Sequence, residues 1–370
     1  MRSLSVILIL SSLFTSFSFA QDAGHKIGFD YGVELYSFFD NTEYAGCKYQ
    51  DDQTMPGTVL TPELGMNIDG KHHLRAGASV IANWGDNDKI VRVSPVAYYE
   101  YNSAPIQFFM GAFPRRGSQT TLPRVMMQDS VLFYRPVVNG FLFKAGGERT
   151  FFDMWLDWTG LQSQTRRETF FVGWDGKYSH KILRLSHNGY MFHYAKMKDA
   201  PDGQYIHDNI MLVTKAGVDF ADLSGLSHLN EFSLMAGWVF GLEDNRGETG
   251  WLPHNALLFD VCFDWRGLGV KNSFYYGKGQ MNFYDKQSNN LYWGDPVYRA
   301  NLYNRTDLFA NVVNTSFVDV YIDLAFHTFE QGLYLEQCLT AKVDINNFGR
   351  KNAEKRRKPI FTDWFAKRSK

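Results

Sequence analysis

The sequence predicts an all-β fold, a closed antiparallel transmembrane β-barrel of about 16 strands (14 to 18), and three observations carry that prediction. Apolar and polar residues alternate with period two from residue 25 to about residue 346, as in strands with one greasy and one wet face. The connections between these stretches alternate short and long. Aromatics make up 16% of the chain beside 32 Gly and a negative mean hydropathy, and no apolar run after residue 20 is long enough to span a bilayer as a helix.

The chain opens on a secretory signal, residues 1–20. Arg2 supplies the positive end, Val6 to Phe14 the apolar stretch, and Ser18-Phe19-Ala20 a small-x-small cleavage site. Cleavage after Ala20 leaves Gln21 first, with no cysteine to carry a lipid anchor. The barrel is expected over 21–349.

Strands follow in order. Leu74, Ala76, Ala78, Val80, Ala82 and Trp84 oppose Arg75, Ser79 and Asn83; Leu257, Phe259, Val261, Phe263 and Trp265 oppose Asp260, Cys262, Asp264 and Arg266. Val318, Val320, Ile322, Leu324 and Phe326 oppose Asp319, Tyr321, Asp323 and His327, and Leu333, Leu335, Leu339, Ala341, Val343 and Ile345 oppose Glu336, Thr340, Lys342 and Asp344. These runs are long for soluble strands and near the length that crosses a bilayer with tilt. Short connections at 69–71, 102–105, 175–177 and 266–269 sit between long ones near 40–57, 115–130, 197–208, 242–253 and 284–304. Ser130 to Gly147 reads as one broken strand or a small hairpin, which leaves the strand count open by two. Trp84, Tyr98, Tyr99, Phe113, Trp155, Trp158, Trp174, Trp238 and Trp265 fall near strand ends, as interfacial girdles would.

A net charge of −1 excludes nucleic-acid binding by the molecule as a whole. Three widely spaced cysteines, Cys47, Cys262 and Cys338, give neither a disulfide framework nor a cysteine metal site. Backbone amides in lipid have no water to bond, so strands cross only when the sheet closes on itself. At about 16 strands the lumen is too wide for wall side chains to fill.

Signal, alternating strands, uneven connections and aromatic belts together resemble the porin-like barrels of Gram-negative outer membranes, over nearly the whole mature chain. The resemblance implies an outer-membrane location, short periplasmic turns and long extracellular loops. It also implies a last strand that ends on an aromatic residue. Here a tail follows instead, and Phe348 is the candidate for that part.

Candidate pore-lining residues are Arg75, Asn83, Asp260, Asp264, Arg266, Asp319, Asp323 and His327, all on wet faces. In trimeric general porins a loop comparable to the segment with Arg115, Arg116, Arg124 and Arg135 folds into the lumen; here it would face Asp260, Asp264, Asp319 and Asp323, or else cap the barrel outside. Trp155, Trp158, Tyr292 and Trp293 form a candidate ligand platform, with a plain aromatic belt and a self-packed loop as the simpler readings. Ser186-His187 and Ser227-His228 place neighbours on opposite faces and so make no nucleophile–base pair. The basic segment 350–370, with Ile360, Phe361, Trp364 and Phe365 on one helical side, would rest on the inner leaflet or the cell wall, or stay solvated.

The expectation is therefore a channel for passive diffusion of small hydrophilic solutes, not an enzyme, with outer-membrane lipid as its surroundings and a homotrimer as a candidate assembly. No catalytic residue, metal or cofactor is expected. A surface receptor or adhesin is the alternative, and an outer-membrane lipase or protease the third reading.

Overall fold

A computed structural model describes residues 25–349 except 86–89, 222, 224, 226, 227 and 331; the expected signal (1–20) and basic tail (350–370) lie outside the described residues. The strands are β1 (Ile27–Glu43), β2 (Gln53–Ile68), β3 (His72–Asn83), β4 (Ile90–Ser103), β5 (Ile106–Pro114), β6 (Val137–Gly146), β7 (Thr150–Gly160) and β8 (Thr169–His180). The second half holds β9 (Leu183–Tyr194), β10 (His207–Asp219), β11 (Leu229–Asn245), β12 (Leu252–Trp265), β13 (Leu268–Gly277), β14 (Leu302–Asn314), β15 (Val318–Phe329) and β16 (Gly332–Asn346). Each pairs antiparallel with its chain neighbours, and β1 meets β16 from Gly32↔Asn346 to Glu43↔Leu335, so the sheet is a closed barrel with no edge. The stretch left open in the sequence resolves into a short helix, α1 (Asp129–Tyr134), and β6.

Turn chemistry fixes the tight end. Asp69 and Gly70, and again Arg266 and Gly267, both take positive φ, the two-residue hairpin conformation whose twist matches that of the strands it joins. Asp264 holds the second turn by accepting from Gly267 N at 2.8 Å. The opposite end carries the long segments 115–136 and 278–301.

Alternation then sorts the side chains. Phe29, Tyr31, Val33 and Leu35 of β1, Leu257, Phe259, Val261 and Phe263 of β12, and Leu183 and Leu185 of β9 are exposed on the outside. Their strand neighbours Asp30, Glu34, Leu258, Cys262 and Asn188 are buried in the lumen. The aromatic girdle divides on the same rule: Trp84, Trp158, Trp238 and Trp265 are exposed outside, but Tyr98, Phe113 and Trp155 point inward and are buried.

The lumen is filled at its loop end. Segment 115–136 enters it, and Phe133 of α1 stacks on Phe38 of β1 at 4.3 Å. Segment 278–301, with α2 (Tyr284–Gln287), enters from the other side, and the two join where Gln128 N donates to Trp293 O (2.7 Å) and Asp295 N to Arg124 O (2.9 Å). Buried Val125, Met126, Leu291, Tyr292, Trp293 and Val297 pack with inward residues of the wall, among them Phe171, Phe192, Met211, Tyr275 and Tyr303. Glu243 of β11 anchors the second segment by accepting from Met281 N (2.9 Å) and Tyr292 Oη (2.5 Å). Glu34 of β1 meets Arg116 of the first segment (2.8 Å) and Lys342 of β16 (3.4 Å), so the plug and the closing seam share one carboxylate. Below the plug, a vestibule of about 1630 Å³ opens toward the turn end, lined in part by Gln107, Lys144, Lys177, Lys215, Asp319 and Lys342. Phe348 turns inward as well, its ring 3.7 Å from the Arg75 guanidinium, and approaches Gly32 so closely that a Cβ there would meet the ring at 2.7 Å. It is therefore a lumenal residue and not an outward aromatic at the end of the last strand.

Candidate functional site

The residues singled out in the sequence fall into separate lumenal networks. Arg75 donates to Asp30 (3.0 Å) and pairs with Glu100, beside His73, whose Nδ1 lies 2.6 Å from Asp30. Asp260 takes Lys215 at 2.9 Å; Asp264 takes Asn230 and the Gly267 amide; Asp319 takes Asn311 and Asn314. Asp323 lies 3.6 Å from Arg305, which is also held by Asp307 (2.6 Å) and Glu336 (2.7 Å). His327, fully buried, has Nδ1 2.8 Å from both Tyr44 Oη and Tyr303 Oη and Nε2 3.0 Å from Glu336. Asn83 ends β3 on the lumenal register, whereas Arg266 sits in a tight turn with its guanidinium 6.0 Å from the Trp265 ring.

The arginine segment is inside the barrel, but its partners differ from those expected. Arg115 pairs with Asp157 of β7, Arg116 with Glu34 of β1, and Arg124 with Asp129 of its own segment. Arg135 lies 4.9 Å from the Trp293 ring. None of the four is ion-paired with Asp260, Asp264, Asp319 or Asp323 among the described residues, because the segment lies against the β1 and β7 walls and carries its own acid. The aromatic platform is split too. Trp155, Tyr292 and Trp293 are buried in the lumen, while Trp158 is on the outer face, since neighbouring strand positions point to opposite sides.

On the outer face, at the loop end of β8 to β10, stands a group that the sequence reading passed over. On β9, Tyr190 and Phe192 point into the lumenal cluster, so His193 points out. On β10, Asn209 reaches Leu291 O inside, so Asp208 points out. The two are register partners, and His193 Nδ1 lies 2.6 Å from Asp208 Oδ1. An ionised carboxylate only accepts, so Nδ1 carries the hydrogen and the neutral ring keeps its lone pair on Nε2, which has no hydrogen-bond partner among the described residues. The other oxygen of Asp208 accepts from Arg246 Nε at 2.6 Å. Asp208 is fully buried under its partners, His193 is 15% exposed and Arg246 half exposed, so the carboxylate is fixed while the ring can meet a ligand. Phe170 stacks on His193 at 4.8 Å, which sets the ring plane, and Trp158 packs at a tilt against Phe170 at 5.4 Å. Asp244, the cross-strand partner of Asp208 on β11, has one buried carboxylate oxygen without a hydrogen-bond partner among the described residues. No group of three or more His, Cys, Asp or Glu among the described residues is arranged to hold a metal ion.

The sequence did carry a signal for this site. The outward series Leu183, Leu185, His187, Gly189, Met191, His193 and Asp208, Ile210, Leu212 each end at the loop rim on an ionisable residue, and a charge on the greasy face is costly unless it is paired. Only the pairing of β9 with β10 shows that the two ends meet.

A closed antiparallel barrel with an apolar exterior, a polar lumen and long loops at one end is a transmembrane barrel of the outer-membrane class. A family model described as lipid A 3'-O-deacylase-type matches residues 22–337, and the chain belongs to that family. This overturns the expectation that the chain is not an enzyme. In structure it is similar to a loop L8 deletion mutant of OmpT, an outer membrane protein of Vibrio cholerae (TM-score 0.51, 6% identity, 87% of this chain and 99% of that chain). It is also similar to OprD from Pseudomonas aeruginosa (TM-score 0.49, 10% identity, 88% and 96%). At these identities the likeness is one of fold, and at that level the resemblance to porin-like barrels read from the sequence holds. No curated protein matches the chain.

Proposed function

We propose that this chain removes an ester-linked acyl chain from a lipid of the outer leaflet, the substrate being lipid A as the family description has it, and that His193 is the general base. The observation that carries the reading is a carboxylate-oriented imidazole on the lipid side of the wall at the loop rim, the height at which ester bonds join acyl chains to headgroups. In this scheme His193 Nε2 takes a proton from water as the water oxygen attacks the acyl carbonyl carbon. Asp208 holds the tautomer and stabilises the imidazolium that forms. The intermediate collapses, the bond from carbonyl carbon to sugar oxygen breaks, and the imidazolium returns its proton to the departing oxygen. A free fatty acid and a sugar hydroxyl are left. Arg246, whose outer guanidinium nitrogens make no ion pair among the described residues, is placed to stabilise the negative oxygen of the intermediate. The test is mass spectrometry of lipid A incubated with the detergent-folded protein: loss of one ester-linked acyl chain is expected, and unchanged lipid A would overturn the reading.

Passive diffusion of small hydrophilic solutes is the second reading, supported by the vestibule below the plug and opposed by the plug, which packs on the wall from β1 round to β15. Planar-bilayer recording separates them, since stable conductance steps from the native chain require a path past Trp293. We also propose that residues 1–20 are removed after Ala20, which mass spectrometry of the mature protein reads directly.

A further inference from the structure

Behind His193, on the lumenal side of the same strand, is a second pocket that the deacylation scheme does not use. Phe192 and Tyr194 of β9 form part of its wall, opposite in direction to His193, and its volume is about 390 Å³. Three arginines, Arg135, Arg166 and Arg167, line it with hydroxyls and amides including Thr165, Asn289 and Asn290, and no carboxylate lines it. Each guanidinium lacks an acidic partner among the described residues. Arg167 donates to Ala195 O (2.6 Å), Tyr194 O (3.1 Å) and Tyr205 O and lies 3.6 Å from the Tyr194 ring. Arg135 lies against Trp293, and Asp157, an acid that acts on it, is already held by Arg115. Arg166 is exposed at the mouth, its backbone amide fixed by Ser163 Oγ at 3.0 Å. Burial pulls both Arg135 and Arg167 below the usual guanidinium range, and for Arg135 the pull of Asp157 does not offset it.

We propose that this pocket binds a phosphate group carried on a sugar-sized ligand. Guanidinium forks match phosphate oxygens two at a time, hydroxyl and amide donors complete the set, and the volume suits a phosphorylated monosaccharide. The phosphate could reach the loop end as a free anion or as a lipid headgroup; the chemistry is shared and the experiment separates the sources.

Titration calorimetry of the detergent-folded protein is run with inorganic phosphate, and binding to phosphatidylcholine vesicles is measured with and without a phosphorylated glycolipid. Saturable binding of at least one phosphate probe is expected, weakened at least tenfold in the double variant Arg135→Gln, Arg166→Gln and unchanged in Lys144→Gln of the vestibule. Binding of phosphate itself assigns the free anion, and arginine-dependent binding of the glycolipid vesicles alone assigns the headgroup. Absence of saturation with both probes, or native affinity in the double variant, overturns the proposal. If the double variant does not fold, Arg166→Gln alone, at an exposed side chain, is read in its place. No turnover is measured, so the outcome is independent of the deacylation reading.

Discussion

Of the histidines that sit beside carboxylates in this barrel, His327 and His193 lie on opposite sides of the wall, and the wall gives them opposite roles. His327 faces the lumen, fully buried, with Nδ1 shared by two tyrosine hydroxyls and Nε2 against Glu336. His193 faces out, with Nδ1 on Asp208 and Nε2 open. The residue types and distances are nearly the same. A base needs an unused lone pair within reach of a substrate, and only the outward pair keeps one. A histidine–carboxylate contact is therefore weak evidence of chemistry until the second nitrogen has been followed.

The comparison can be broken most sharply at His193. His193→Gln should lower release of acyl chain from lipid A by about 10²–10⁴-fold, the usual contribution of a positioned general base, with the heat-modifiable gel mobility of a folded barrel retained. A loss under tenfold would move the base elsewhere. Asp208→Asn should come next, at about 10²-fold, because an amide can offer the ring its N–H and select the wrong tautomer. If the asparagine variant stays fully active, Asp208 is not the orienting group.

The lumenal side should respond in stability and conductance and leave turnover largely alone. Trp293→Ala removes the ring that packs the second insert on Phe171 and Phe192 of the wall and on Arg115 and Arg135 of the first, and should cost roughly 3–5 kcal/mol in denaturant unfolding while creating or enlarging conductance steps in planar bilayers. Acyl release should change less than tenfold; a loss as deep as that of His193→Gln would mean that the plug and the outer rim are one site. The smallest effect is expected for His327→Gln, about 1–3 kcal/mol from its buried contacts with Tyr44, Tyr303 and Glu336 and turnover within threefold of native. That variant is the direct control for the comparison.

The fold was legible because alternation is local. Val318 to Phe326 and Leu257 to Trp265 declare their two faces without any partner strand, and uneven connections then order the strands. The plug was not legible, since it depends on contacts such as Gln128 with Trp293 between segments 165 positions apart, and nothing in either segment names the other. For the arginine segment the sequence left open the lumen and an outside cap, and its partners could not be chosen, because Glu34, Asp157 and Asp260 look alike as inward acids. The outer site failed for a different reason. His193 and Asp208 are each an ionisable end of a greasy face, and nothing within either strand says that the two ends meet across the β9–β10 pairing.

Glu34 bears on how the molecule comes apart. Because this one carboxylate contacts the inserted Arg116 on one side and Lys342 across the β1–β16 seam on the other, unzipping the seam also withdraws the counter-ion of Arg116, one of the insert's two ion pairs with the wall among the described residues. Plug and hoop are thus thermodynamically coupled, and displacing Arg116 costs less once the seam has begun to open.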